Sequence, residues 1–334
     1  MKKISLSIFI FYVFFFLLSF KSIASNCEFQ MADMNWPSAT LMANVDKFIL
    51  EEGYGCRVEL IPGATTATFV TMNEKGRPQV APELWTNSVA EPLQKAVEEG
   101  RLFSASDGPI TELGEGWWVT PDTLKRNPQF KTVLDILERP DLFPAKEDPS
   151  KGAFIGCPAG WGCQLSNQSL FIAFEMEKKG WMLVDPGSKA GLDASMTKAA
   201  QRGDNWLGYY WSPTGLIGNY NRKLMNFGVP LAGSENWDSC ISKGPEVCIN
   251  PKPSAWTKSI VKTIVTPDVK EMHKVMKYFS KRIFPGEVMN SMLVYMEDNQ
   301  AQGIDGAITF LEKFYDIWVN WVPKEVAQNV KEAL

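Results

Sequence analysis

Short apolar runs alternate with longer amphipathic stretches along most of the chain. Residues 56–61, 153–156 and 181–184 are short and rich in apolar side chains, which is typical of strands. Residues 38–52 and 189–201 are helix-like, and the first of these stretches begins at Ser38, which favours a helix N-terminus. Strands that alternate with helices in this way predict an α/β fold with mainly parallel sheets.

The last third of the chain has a different pattern. One β-branched run at 260–265 precedes Pro267, and three helix-like stretches follow at 268–281, 287–299 and 305–318. This layout suits two lobes joined by chain crossings. We predict that residues 26–120 and 255–334 form lobe 1 and that residues 121–254 form lobe 2.

The N-terminus carries the pattern of a secretory leader. Lys2 and Lys3 precede an apolar run at residues 8–20, which ends before the small residues Ala24 and Ser25. The run is short for a membrane span, so we predict a signal peptide over residues 1–25 that is cleaved near residue 24 or 25, with a retained anchor as the alternative. The mature protein is then expected in the periplasm.

Charge and composition exclude several classes of function. The chain has a formal net charge of −4, and removal of the three leader lysines makes it more negative, so nucleic acid is not an expected partner. It has one histidine, His273, in a helix-like stretch, and it carries neither a G-x-S-x-G sequence nor a Gly-rich phosphate loop. We therefore predict a binding protein and not an enzyme, without a cofactor.

Six cysteines remain after the predicted leader, and an even number in an exported protein suggests disulfides. Six cysteines allow 15 connectivities. Proximity along the chain favours the pairs Cys27–Cys56, Cys157–Cys163 and Cys240–Cys248. A zinc site is the competing interpretation, but no C-x-x-C occurs, so we predict no metal.

Three of the 12 tryptophans occupy places where predicted strands run into loops. Trp85 follows Pro82-Glu83-Leu84, Trp161 lies between two cysteines in a glycine-rich loop, and Trp211 precedes Ser212-Pro213. In open α/β sheets, ligands bind at the carboxyl ends of strands. Packing in a core is the ordinary role of a tryptophan, yet this shared placement makes these three candidates for ligand contact.

At these three segments the chain resembles the glycine betaine/proline betaine-binding components of ABC importers. The specific element is Gly156-Cys157-Pro158-Ala159-Gly160-Trp161-Gly162-Cys163, and the resemblance extends over roughly residues 28–325. It implies a two-lobed periplasmic-binding-protein fold of type II with ligand in the cleft. It also implies an aromatic box of Trp85, Trp161 and Trp211 around the ligand cation, with the amides of Gly162 and Cys163 toward its anionic end.

One departure from the betaine pattern points to a particular ligand. Related proteins can carry a histidine four residues after the first box tryptophan, where this chain has Val89. Nearby, Glu115 precedes Trp117 and Trp118, which resembles the trimethylamine N-oxide-binding branch, where a fourth tryptophan and a glutamate complete the pocket. We predict that Glu115 and Trp117 join the site. The alternative for the two adjacent indoles is an alternating strand, with one ring in the core and the other outside it.

The resemblance implies a monomeric substrate-binding protein that delivers its ligand to ABC permease subunits at the inner membrane. Trimethylamine N-oxide and glycine betaine are the leading ligands, because indole faces attract a trimethylammonium group that has no N–H to donate. Dimethylsulfoniopropionate and choline are alternatives of the same class. A secreted carbohydrate-active enzyme with an aromatic sugar platform is the alternative from another class.

Overall fold

The computed structural model describes residues 27–219 and 223–334, so the predicted leader lies outside the described residues. Two five-stranded sheets organise the chain. The first sheet has the order β2-β1-β3-β10-β4 and contains β1 (Glu28–Met34), β2 (Arg57–Gly63), β3 (Val80–Trp85), β4 (Phe103–Ser106) and β10 (Val261–Val265). The second has the order β7-β6-β8-β5-β9 and contains β5 (Gly114–Val119), β6 (Gly152–Ile155), β7 (Trp181–Val184), β8 (Leu207–Ser212) and β9 (Lys223–Leu224).

Each sheet is parallel except for one reversed strand. β1 runs parallel to β2 and β3, and β6 runs parallel to β7 and β8. β10 pairs antiparallel with β3 and β4, and β5 pairs antiparallel with β8 and β9. Both reversed strands come directly after a passage from one sheet to the other, where no crossover helix sets the direction. The prediction of an α/β fold with mainly parallel sheets is confirmed.

Helices cover the faces of both sheets. In the first half of the chain they are α1 (Pro37–Phe48), α2 (Thr65–Lys75), α3 (Ala90–Glu98), α4 (Pro121–Arg126), α5 (Val133–Leu137), α6 (Gly162–Ala173) and α7 (Lys189–Arg202). The remainder are α8 (Gly215–Asn219), α9 (Gly233–Ser239), α10 (Pro267–Lys270), α11 (His273–Lys281), α12 (Gly286–Asn299), α13 (Gly303–Lys313), α14 (Tyr315–Trp318) and α15 (Lys324–Ala333). The stretch predicted as one helix at 268–281 forms two helices, as does the stretch at 305–318. None of the described helices is long and apolar enough to cross a membrane.

Local sequence explains where several of these helices begin and end. The Ser188 hydroxyl accepts a hydrogen bond from the amide of Gly191 and caps α7, which ends at Gly203 with a φ of 72°. Thr120 caps α4 in the same way, and Pro121 occupies the first helical position. These caps fix the points at which the chain leaves one element and enters the next.

The strand pairing shifts the predicted boundary between the lobes. β5 was assigned to lobe 1, with a boundary at residue 120, yet it pairs with β8 over its whole length. The chain leaves the first sheet after Ser106, enters the second at Gly114, and returns to the first at Val261. We propose two lobes built on these two sheets, with crossings at residues 107–113 and about residues 256–260.

Separate apolar clusters support the two sheets. The first sheet packs against α11 to α15 through buried rings that include Phe284, Phe310 and Trp318. The second sheet covers a cluster that includes Trp117, Phe154 and Trp181. Between the sheets lies a further cluster, to which tryptophans from both sides contribute. That middle cluster surrounds the candidate site.

Candidate ligand-binding site

A cavity of about 460 Å³, counted with its open mouth, lies between the carboxyl ends of the two sheets. Its walls are mainly aromatic and include six tryptophans, namely Trp36, Trp85, Trp161, Trp211, Trp237 and Trp256. Indole faces attract a cation through the ring quadrupole and require no hydrogen bond from it. The cavity is therefore suited to a small organic cation.

Two of the indoles come from the first sheet and are held by the same carboxyl group. Trp36 follows β1 and Trp85 ends β3. Both Nε1–H groups donate to Oε1 of Glu83, over 2.7 and 3.0 Å, and the Ser38 hydroxyl donates to the same oxygen over 2.9 Å. Glu83 is fully buried, and this burial raises the pKa of its carboxyl. Hydrogen bonds of this kind fix the orientation of both rings.

The third wall comes from the disulfide-bounded loop after β6. Cys157 and Cys163 are joined by a disulfide, as the sequence predicted. Within the loop, Gly160 has a φ of 83°, a conformation that favours glycine. Trp161 follows it, and its Nε1–H donates to Oδ1 of Asn35 in the first lobe over 2.8 Å. The loop thus presents its indole across the gap between the lobes.

The rings meet mainly edge to face and enclose the space between them. The Trp161 ring centroid lies 5.5 Å from that of Trp36 and 4.9 Å from that of Trp211, with interplanar angles of 71° and 83°. The Tyr209 ring stacks beside Trp211 at 6.3 Å, with the planes 18° apart. Because neighbouring rings are turned relative to one another, faces and edges alternate around the cavity.

The N-terminus of α6 provides a polar side to this aromatic box. Gly162 and Cys163 are the first residues of α6 and line the cavity. Amides in the first turn of a helix have no partner within the helix and favour negative charge. A Cβ atom on Gly162 would lie 1.9 Å from Oγ of Ser88, so only glycine permits this approach of the two lobes. An anionic ligand oxygen suits this position.

Glu115 also lines the cavity. Its Oε1 accepts a hydrogen bond from the Tyr209 hydroxyl over 2.9 Å, and Ser259 approaches its Oε2 at 3.5 Å. Burial raises the pKa of Glu115 to about 7, against the opposing effect of these neighbouring donors. The carboxyl group is thus close to balanced between its neutral and charged forms at neutral pH.

Three polar groups at the cavity wall find no hydrogen-bond partner among the described residues. They are the hydroxyl of Ser88 and the indole N–H groups of Trp237 and Trp256, all inaccessible to solvent at these atoms. Buried donors in proteins are almost always paired, and an unpaired one costs roughly 1–3 kcal/mol. Each of these donors is available to a ligand that brings an acceptor oxygen within its reach.

The structure corrects the prediction for Trp117. Its ring is fully buried against Phe154, Phe174 and Phe227, and its Nε1–H donates to Asn167 over 2.8 Å. Trp117 therefore packs in the second-lobe core and does not line the cavity, although Glu115, two residues earlier, does. The pairing of β5 with β8 continues without a shift through Gly116, so it is the aromatic neighbours of Trp117 that hold its ring in the core.

The structure brings together the other predicted site residues, namely Trp85, Trp161, Trp211, Glu115, Gly162 and Cys163. Trp118 is buried near the cleft but does not line the cavity, and Val89 is buried beside α3. Sequence reasoning missed Trp36, although it lies two residues after the end of β1, much as Trp85 lies at the end of β3. It also missed Trp237 and Trp256, which lie in a segment without periodicity where no sequence signal distinguishes them.

The other four cysteines form two further disulfides. Cys27 is joined to Cys56, and Cys240 to Cys248, which completes the three neighbouring pairs. Within residues 27–219 and 223–334, no three histidine, cysteine, aspartate or glutamate side chains gather as a metal site. The chemistry of the cavity is that of aromatic faces and hydrogen-bond donors.

Two mostly parallel sheets with an aromatic cavity between their carboxyl ends define a substrate-binding protein of ABC transport, with the type II periplasmic-binding-protein fold. Residues 28–313 match the profile of the family described as the substrate binding domain of the ABC-type glycine betaine transport system. The chain belongs to this family. It is therefore a solute-binding protein and not an enzyme, which sets aside the carbohydrate-active alternative.

Solved structures show the same fold. The glycine betaine/L-proline-binding protein from Borrelia burgdorferi is 16% identical, with a TM-score of 0.69 over 91% of this chain and 99% of that one. A choline-binding protein in complex with choline is 15% identical, with a TM-score of 0.67 over 92% and 97%. A lactococcal protein in its closed form with glycine betaine is 16% identical, with a TM-score of 0.65 over 89% and 100%. Comparison with curated protein sequences gives no match.

Proposed function

We propose that this protein binds a small trimethylated ammonium compound that carries a compact oxygen end, with trimethylamine N-oxide and glycine betaine as leading ligands. It delivers this compound to the permease of an ABC importer. The observation that carries the proposal is the cavity between the lobes, whose walls include six tryptophans. Two of the structures similar in fold hold glycine betaine and choline, which are trimethylated ammonium compounds.

The energies are sufficient for useful affinity. Each desolvated indole face contributes about 1–2 kcal/mol to binding of a cation, so four faces contribute roughly 4–8 kcal/mol. Micromolar affinity requires about 8 kcal/mol. Hydrogen bonds to the ligand oxygen and closure of the lobes supply the remainder. Hydrated inorganic cations gain less, because they lose more hydration on entering an aromatic box.

The polar groups favour a ligand with an oxygen acceptor over a purely cationic one. The α6 amides of Gly162 and Cys163 and the unpaired hydroxyl of Ser88 are donors on one side of the box. A zwitterion places its anionic oxygen there while its onium group meets the indoles. Choline offers only a neutral hydroxyl, and dimethylsulfoniopropionate has a longer chain, so we rank both below the two leading ligands.

Glu115 distinguishes the two leading ligands. An ionised Glu115 repels the carboxylate of glycine betaine, and a protonated Glu115 donates a hydrogen bond to an N-oxide oxygen. We propose that through these contacts Glu115 favours trimethylamine N-oxide over glycine betaine. Export by the predicted signal peptide is part of the same proposal, since a protein that delivers its ligand to an importer must lie in the periplasm.

Calorimetry with both compounds, choline and dimethylsulfoniopropionate tests the proposal at pH values from 5 to 8. We expect wild type to bind trimethylamine N-oxide more tightly than glycine betaine, and we expect Glu115→Gln to reduce that preference. Wild type that prefers glycine betaine, with an unchanged variant, would contradict the role of Glu115. No binding to any member of the panel would contradict the ligand class.

A further inference from the structure

Glu83 is buried behind the aromatic wall and does not line the cavity. It lies on β3 two residues before Trp85, and side chains two apart in a strand share a face. Its Oε1 accepts the Nε1–H of Trp85 from the same strand and the Nε1–H of Trp36 from the loop after β1. One oxygen therefore joins two walls of the cavity that are 49 positions apart in the sequence.

The two carboxyl oxygens of Glu83 have different surroundings. The Ser38 hydroxyl at the start of α1 donates to the same Oε1 over 2.9 Å. The second oxygen, Oε2, has no partner among the described residues. Three donors therefore converge on one oxygen of Glu83, whereas its other oxygen accepts no hydrogen bond from a described residue. Two of the three belong to indoles whose rings line the cavity.

We propose that Glu83 is a positioning residue for the cation site, which fixes the Trp36 and Trp85 indoles through their N–H groups. This inference rests on the proposed function, because it assumes that those rings contact a trimethylammonium ligand. Cation–π attraction depends on where the cation lies relative to the ring face. An indole that rotates about its side-chain bonds must be ordered again when ligand binds, which weakens binding.

The test compares three substitutions by calorimetry with trimethylamine N-oxide and glycine betaine. Glu83→Leu removes the acceptor and leaves both indole N–H groups without their partner, and we expect at least about tenfold weaker binding. Glu83→Gln keeps an acceptor oxygen at the same distance, and we expect affinity within about threefold of wild type. Glu83→Asp withdraws the acceptor by one methylene, and we expect a loss of at least about threefold.

A control and a ligand-free measurement separate positioning from simple stability. Tyr278→Phe removes a buried hydroxyl that donates to Asp46 in the same lobe, and we expect a lower melting temperature with unchanged affinity. Hydrogen exchange of the indole N–H groups of Trp36 and Trp85 should be slow in wild type and Glu83→Gln and fast in Glu83→Leu or Glu83→Asp.

The outcomes separate this inference from the proposed function. If wild type binds neither probe, the proposed function fails, and indole exchange still decides whether Glu83 holds the rings. If wild type binds, affinities of Glu83→Leu and Glu83→Asp within about twofold of wild type would overturn the inference. If Glu83→Leu does not fold, the Asp and Gln variants decide the question. Indole exchange in Glu83→Asp, and in Glu83→Leu where it folds, that is as slow as in wild type would overturn the inference in every case.

Discussion

At the scale of single residues, the box tryptophans combine two roles that are often separate. Trp161 and Trp211 are nearly inaccessible to solvent, as core residues are, yet both line the cavity. Burial by itself therefore does not distinguish a packing tryptophan from a binding one. Ligand affinity and protein stability must be measured together to separate the two roles.

We expect Trp85→Ala, Trp161→Ala and Trp211→Ala each to weaken ligand binding by about 1–3 kcal/mol, through lost cation–π attraction and lost contact area. Calorimetry and thermal unfolding on the same preparations give the affinity and the stability. Trp117→Phe is the control, because Trp117 packs in the second-lobe core, and it should lower stability while affinity is kept. A box variant that unfolds readily but binds normally would show that its indole belongs to the core.

Glu115 makes the stability of the ligand-free protein depend on pH. Burial raises its folded-state pKa to about 7, from an ordinary value of 4.5. The folded protein therefore holds a proton that the unfolded chain has released, and the free energy of unfolding falls as pH rises from about 4.5 to about 7. The full shift corresponds to roughly 3 kcal/mol at most.

Denaturant unfolding of wild type and Glu115→Gln at pH 4, 5, 6, 7 and 8 measures this contribution. Burial also raises the pKa of Asp46 to about 6, so the difference between the two proteins is the relevant quantity. We expect the variant to gain stability relative to wild type as pH rises through this window. A difference that does not change with pH would show that the carboxyl group is solvated in the folded protein.

At the scale of elements, the loop from β6 to α6 carries most of the chemistry in a few residues. Its disulfide joins Cys157 to Cys163, and between them lie the Trp161 indole and the first amide of α6. The second lobe therefore presents an aromatic face and a set of donors from one closed loop. A loop that is ordered before binding loses less entropy when ligand arrives.

We expect replacement of both cysteines of this loop by serine to weaken ligand binding by roughly 1–2 kcal/mol, since the loop must then be ordered on binding. The serine variant keeps both backbone amides, so donors are not lost. Replacement of Cys27 and Cys56 is the matched control, because that disulfide lies at the start of β1 and β2, and it should reduce stability without changing affinity. Mass spectrometry of unreduced wild-type protein checks that the loop cysteines are paired. If both replacements change the affinity equally, the disulfide of the loop has no special role in binding.

At the scale of the whole molecule, the two lobes meet away from the cavity as well as around it. α8 in the second lobe packs on α12 in the first, and the Thr214 amide donates to Oδ1 of Asn290 over 3.0 Å. A Cβ atom on Gly215 would lie 3.0 Å from the carbonyl oxygen of Leu293, so glycine permits this close packing. These contacts can form only when the lobes are together.

We expect Gly215→Ala to weaken ligand binding by about 1 kcal/mol or more, although residue 215 does not line the cavity, because the added methyl group opposes the closed arrangement. Small-angle scattering with and without trimethylamine N-oxide should show less compaction in the variant than in wild type. Ser291→Ala, on an exposed part of α12, is the control. Normal affinity and compaction in Gly215→Ala would show that this contact does not contribute to closure.

The sequence by itself determined the α/β class, most element positions and the candidates Trp85, Trp161 and Trp211, because periodicity and strand-to-loop transitions are local properties. Proximity along the chain also favoured the three disulfide pairs that the structure contains. The family resemblance rested on one short loop, and the match to the family over residues 28–313 confirmed it.

Only the tertiary structure decided which other side chains complete the site. Trp36, Trp237 and Trp256 come from distant segments, and their meeting depends on how the two sheets face each other. Trp117 lies outside the site because its ring packs against Phe154, Phe174 and Phe227, contacts that sequence spacing does not reveal. The role of Glu83 likewise appears only when β1 and β3 pair and bring two indole N–H groups to one oxygen. Local patterns specify elements, whereas a site assembled from distant segments is specified by packing.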